Sequence, residues 1–356
     1  MVVAAGSAGV RPTGPAHLYP IFKFLIALVR HAAAAYYDAG SRTTVKTALL
    51  ILIAFAVCLP PFVAGADTDY AAAIKSGEAK QVLDLLRAGS SATAADTEGM
   101  TPMHHAAAAG YVQIMDVLFQ RGGDLQAIDR TGRTPLHEAA ENSRLDAVKF
   151  ILGRIPDRDR LKAVNAVDEN GSSPLHLAAG NGHTALSDYL ILKGAAVDAI
   201  DKLGCRPLHL ATAENHVDTA RLLIDRAKDR KEYVNCRDQS GQTALHYAAN
   251  RGLSDLVRLL LPRVPDRRTD INSRDEDGQT ALHLAAGSGS VEIVRLLVEE
   301  DADIRITDAT GQTPLHTAAA SGRAAAAQAL IAAASNPLAY VDIQDKEGQT
   351  ALHLAA

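Results

Sequence analysis

Histidine is the side chain in this sequence best suited to metal or proton chemistry, and its placement is regular. Eight of the 13 histidines close a four-residue run such as Thr-Pro-Leu-His: His104, His137, His176, His209, His246, His283, His316 and His353. A neutral imidazole ligates zinc and titrates near neutrality, so a metal site and a hydrogen-bonded structural role compete. Two ligands of one zinc ion each sit ~2.0–2.1 Å from it, whereas packed helices lie ~8–10 Å apart. Equivalent histidines on successive helices therefore cannot share an ion. The structural role is the better reading.

Other outlines of chemistry fail on spacing. His137-Glu138-Ala-Ala-Glu141 has the start of a zinc-protease helix without its second histidine. Gly287-Ser-Gly289 ends a helical pattern rather than following a strand, so it is no phosphate cradle. No Gly-x-Ser-x-Gly elbow is present. Of three cysteines, Cys58 lies in an apolar run, leaving Cys205 and Cys236 in the body of the chain, where two separate thiols are favoured over a pair. Asn170-Gly-Ser172 is a glycosylation sequon, of consequence only in a eukaryotic secretory route. These readings leave no cofactor, no metal and no catalytic residue to assign.

The elements that carry the histidines repeat. The pattern Asp-x-x-Gly-x-Thr-Pro-Leu-His, with variants, starts at Asp96, Asp129, Asp168, Asp201, Asp238, Asp275, Asp308 and Asp345. Successive starts are 33, 39, 33, 37, 37, 33 and 37 residues apart, a period that marks a repeat architecture. Asp and Gly three apart predict a tight turn. Thr then Pro reads as an N-cap and first helical residue, the hydroxyl accepting from an orphan N–H. Leu, His and paired Ala form a short helix that ends at Gly110, Gly182, Asn215, Gly252, Gly289 or Gly322. A second amphipathic helix follows, as in the run Val291 to Val298. One such pair cannot bury its apolar face alone, so units must stack. With 47% hydrophobic residues, only 4% aromatic and no Trp, the core must close by approach of Ala and Leu.

These units resemble ankyrin repeats from about Asp67 to the last residue. The resemblance implies an all-α repeat solenoid of antiparallel helix pairs joined by β-hairpin loops. It also implies that targets dock on the hairpin tips and the inner face of the first helices, and that the histidines tie cap and neighbouring hairpin together.

Residues 67–95 read as a degenerate, more polar capping repeat. Repeats follow at 96–128, 129–167, 168–200, 201–237, 238–274, 275–307 and 308–344, then a short one at 345–356. That last repeat stops inside its first helix, which raises the expectation of a product truncated at Ala356. The longer units insert residues after the second helix, among them Arg158, Arg160, Arg230, Lys231, Arg267 and Arg268 with interleaved acids. Solvated loops are the favoured reading, a basic contact ridge the alternative. Unit 201–237 departs most: Leu203 and Cys205 sit on its hairpin, Arg206 replaces the Thr cap and Thr212 an alanine.

Ahead of the repeats, Lys46 precedes an apolar run from Thr47 to Leu59, then Pro60-Pro61 and Ala64-Gly65-Ala66. Residues 45–66 have the layout of a secretory signal peptide and are short for a membrane span. The alternative is an uncleaved anchor over residues 47–64. Residues 1–44 are then an uncertain extension, with Val45 as the expected start. A net charge of −5 with mixed signs argues against nucleic acid as a partner. The expected function is an exported, periplasmic or secreted scaffold for one or more proteins, not an enzyme. The alternatives are a docking part of a larger enzyme and a membrane-tethered structural protein. Candidate contact residues are Arg130, Arg133, Leu203, Cys205, Tyr247, Asn250 and Arg251, since central apolar, aromatic and Arg side chains are typical binding anchors.

Overall fold

The computed structural model describes residues 73–74, 76–264 and 269–356. The extension, signal peptide or anchor expected before the repeats, and Arg267 and Arg268, lie outside those residues. The chain divides into units Met1–Ala64 and Gly65–Ala356, and every described residue belongs to the second.

Helix pairs follow one another at the expected period. Their first and second helices are Pro102–Ala109 with Val112–Gln120, Pro135–Glu141 with Leu145–Arg154, and Pro174–Gly180 with Thr184–Leu192. Then come Pro207–Ala213 with Val217–Arg226, Ala244–Asn250 with Ser254–Leu260, Ala281–Ser288 with Val291–Glu299, and Pro314–Ala320 with Ala324–Ala333. The helix Ala79–Arg87 precedes them and a short one, Ala351–Ala355, follows. The first helices start where Thr-Pro predicts, with Thr extended at the N-cap and Pro inside. Their paired alanines, such as Ala139 and Ala140 or Ala285 and Ala286, are fully buried. A methyl-sized side chain there lets neighbouring first helices pack directly on one another. Larger residues from the second helices, including Ile151, Leu190, Leu223, Leu260 and Leu297, fill the space behind.

The inserts are not the solvated loops that their charge predicts. Three of them fold as extra short helices: Asp157–Val164, Arg230–Val234 and Pro337–Val341. Each plugs the core with the apolar residues hidden in its sequence, namely Val164, Tyr233 with Val234, and Tyr340. Burying a phenol requires a partner for its hydroxyl. Tyr233 donates to the Val197 carbonyl and Tyr340 to the Ile304 carbonyl, both at 3.0 Å. The basic residues are tied locally: Arg160 donates to the Leu152 carbonyl and pairs with Asp157, and Arg158 pairs with Asp159. In the insert after Ser254–Leu260, a turn of 3₁₀ helix at Leu261–Arg263 occupies the corresponding place.

Candidate functional site

Between the helix pairs run turns that form a file of fingers. In each, the Asp carboxylate organises the backbone: Asp201 Oδ1 accepts from the N–H groups of Leu203 and Cys205, both at 2.8 Å. The Asp201 N–H donates to the Cys205 carbonyl, closing the turn. Consecutive fingers are then joined, because Arg130 N–H donates to the Glu98 carbonyl at 3.0 Å and Lys202 N–H to the Asn170 carbonyl at 2.8 Å. The same bond recurs at Glu169, Gln239, Glu276, Ala309 and Lys346. This closeness explains the finger glycine. At Gly204 the backbone has φ +75°, and a Cβ would lie 2.8 Å from the Gln239 nitrogen. The fingers are hydrogen-bonded turns rather than strand ladders; among the described residues the one bridge is Gln344 with Thr350.

The histidines clamp the base of each finger. His137 Nδ1 accepts from the Thr134 backbone N–H at 3.1 Å and lies 2.9 Å from Thr134 Oγ1. Its Nε2 then carries the proton and donates to the Ser172 carbonyl of the next unit at 3.2 Å. The cap is therefore made chiefly by the imidazole, not by the Thr hydroxyl alone. At Ser173 the hydroxyl also accepts from the His176 N–H, at 3.4 Å. Where Arg206 replaces Thr the clamp persists: Arg206 N–H donates to His209 Nδ1 at 2.9 Å, and His209 reaches the Cys236 carbonyl. Both nitrogens of these rings are spent on the chain itself. Burial pushes His104, His137, His176, His209, His246 and His283 below the ordinary imidazole range, His137 down to about 4. They are held neutral. Among the described residues no group of three or more His, Cys, Asp or Glu is placed to hold a metal ion.

A sequence model of the family described as ankyrin repeats (3 copies) matches residues 70–160, 157–233, 230–308 and 300–356. The chain is an ankyrin-repeat protein. No curated protein matches it. Ankyrin repeats are, as a family, protein-interaction modules rather than catalysts.

The ankyrin fingers separate the candidate contact residues into two groups. Arg130, Leu203, Asn250 and Arg251 are exposed, and Arg251 sits 3.5 Å from Glu214. Arg133 is half-buried and spans its own first helix to pair with Glu138 and Glu141. Tyr247 is half-buried too, its hydroxyl donating to Asp238 Oδ2 at 2.7 Å. His105 makes the equivalent bond to Asp96, also at 2.7 Å. Cys205 is buried against the Tyr247 hydroxyl, so its thiol adds nothing to an accessible surface. It and Cys236 are free thiols, both pushed by burial up to about 11.

Sequence reasoning named Leu203 but missed the row of exposed aliphatic side chains that leads to it. Ile128, Val167 and Ile200 each precede the Asp of a finger and are 67%, 55% and 62% exposed; Leu203, at the next tip, is 67% exposed. Later fingers carry Arg237, Arg274, Thr307 and Gln344 in that place. Its identity from unit to unit, apolar then basic then polar, was the signal available. No described helix is long and apolar enough to cross a membrane.

Proposed function

We propose that this ankyrin-repeat chain is an exported scaffold that holds one or more proteins against its finger ledge and the adjoining faces of its first helices. The observation that carries the reading is the aliphatic row Ile128, Val167, Ile200 and Leu203 on a backbone already fixed by finger-to-finger hydrogen bonds. Isolated exposed apolar residues are ordinary, but a row on a rigid edge offers apolar contact at low entropic cost. Arg130, Asn250 and Arg251 supply polar contacts beside it. A net charge of −5 with mixed signs favours protein over nucleic acid as the partner.

The test is capture by the immobilised protein of a partner identified by cross-linking, compared with the Ile128→Ser, Ile200→Ser, Leu203→Ser triple variant. Capture is expected to fall with the far-ultraviolet circular dichroism unchanged; undiminished capture by the triple variant refutes the placement. Export rests on the layout from Lys46 to Ala66. Mass spectrometry of the mature protein is expected to find Asp67 at its N-terminus, and a peptide from within residues 11–44 would contradict the start at Val45. Retention in carbonate-washed membranes would favour the anchor.

A further inference from the structure

We propose that the junction between the units starting at Asp201 and Asp238 is a receptor for a single carboxylate carried by a peptide partner. A cavity of about 330 Å³ opens there, lined by Arg206, Glu232, Asn235, Cys236 and Arg237. That volume is at the small end of the ~300–1,000 Å³ range of ligand pockets, room for a side chain or a chain end. It lies at the single unit whose helix-capping residue is Arg; the other seven have Thr or Ser.

Helix capping does not account for the Arg206 side chain. A guanidinium has no lone pair with which to cap a helix, and the histidine clamp uses only the Arg206 backbone N–H. Its charge lies over the Tyr233 ring, 5.8 Å from the centroid, a cation–π contact that does not neutralise it. Among the described residues, no carboxylate lies in ion-pair contact with Arg206 or Arg237. Arg237 spends one nitrogen, Nη1, on the Arg274 carbonyl at 2.6 Å and the Gly241 carbonyl at 3.4 Å. Its remaining N–H groups and the whole Arg206 fork are available to a ligand.

Charge sets the ligand class. Two guanidiniums and one carboxylate, Glu232, line the cavity, and a second carboxylate, Asp270, accepts from the lining Asn235 at 2.8 Å. A singly charged ligand meets less repulsion from these carboxylates than a dianion such as phosphate does. Guanidinium forks match carboxylates in two-point hydrogen bonding. The Cys236 side chain, an un-ionised thiol, gives the wall an apolar portion against which an aliphatic stem packs. Either an acidic side chain or a chain terminus presents this chemistry. The assignment rests on the scaffold reading for its partner but not for its site.

Ligand-observed saturation-transfer NMR on the full chain tests it with N-acetyl-leucine, a chain-end carboxylate, and with the α-amide of N-acetyl-glutamate, a side-chain carboxylate. Each is compared with its uncharged amide. Transfer is expected to at least one carboxylate and to neither amide, and the better probe names the source. Arg206→Thr restores the residue found in six other units, so the fold survives. It is expected to weaken binding about tenfold, as loss of a charged hydrogen-bond partner does. Equal binding of acid and amide, no transfer to either acid, tighter binding of inorganic phosphate, or an unaffected Arg206→Thr variant each overturns the proposal. Partner capture that resists Arg206→Thr yet fails in the Ile128, Ile200, Leu203 variant removes the pocket and leaves the ledge.

Discussion

Acidification is the perturbation to which the histidine clamps answer most directly. An imidazole whose value is depressed by burial stabilises the fold fully above its unfolded value, and that contribution is lost as pH falls toward the folded one. For His137 the unfolded value is 6.5 and the folded value about 4. The difference corresponds to about 3 kcal/mol, of which about 2 kcal/mol is gone by about pH 5. His104, His176, His209, His246 and His283 are shifted in the same direction by the same burial. Glu138 opposes them, because burial raises its carboxyl, and its own contribution grows as pH falls. Asp96 and Asp129 are held low by hydrogen bonds against the upward pull of burial, so they lose their contribution only below the histidine window. Urea midpoints followed by circular dichroism should hold steady above about pH 7 and fall steeply toward about pH 5, each proton taken up on unfolding adding ~1.4 kcal/mol per pH unit. In parallel, the His137 ring resonance, assigned by its loss in His137→Gln, should not titrate in the folded protein near pH 6.5. A flat urea midpoint across the window, or a His137 ring that titrates near 6.5, would refute the reasoning.

Three further outcomes follow from particular contacts. Thr212 is fully buried and its hydroxyl lacks a partner among the described residues, where five of the other full units have a buried alanine. Thr212→Val keeps the volume and removes the hydroxyl, and is expected to raise stability by about 1 kcal/mol in urea denaturation. Gly204→Ala forces a side chain into a left-handed backbone and against the Gln239 nitrogen, so a loss of about 2 kcal/mol or more is expected, with faster hydrogen exchange at Gln239. Cys205 and Cys236, buried and shifted up, should react with a thiol reagent only after denaturant is added; rapid native labelling contradicts their placement.

The period and the helix pairs were legible because each rests on a local rule repeated along the chain, whereas the tying role of the histidines came from the resemblance to ankyrin repeats. Thr-Pro sets a helix start wherever it occurs, and the eight Asp-x-x-Gly turns fall where spacing puts them. The inserts were misread because local composition outweighed two or three residues in each. Arg and Asp dominate the run from Asp157 to Lys162, yet Val164 decides where it goes, and Tyr233 and Tyr340 do the same in their inserts. Exposure of the candidate contacts could not be read from residue type. Tyr247 and Arg133 look like binding anchors, but the carboxylates that engage them are Asp238, nine residues earlier, and Glu138 and Glu141, a turn or two later. Such bonds depend on where the finger folds back over the helix. The row Ile128, Val167, Ile200 was visible only by comparing one place across units, not along any one of them.

The division of labour inside each unit explains why variation collects where it does. Asp, Gly and His are spent on backbone groups: the carboxylate on two N–H groups, the glycine on room for the next finger, the imidazole on one N–H and one carbonyl. Because those bonds are made to main-chain groups, they constrain no side chain at the finger's leading residue or tip. The unit starting at Asp201 carries this furthest. Its capping hydroxyl is gone, yet the Arg206 N–H to His209 distance, 2.9 Å, is no longer than the 3.1 Å at Thr134 and His137. The clamp therefore tolerates Arg206 without loss, and the guanidinium is free for use at the surface. A fold whose geometry is held by main-chain atoms can change its exposed chemistry one unit at a time while its shape stays the same.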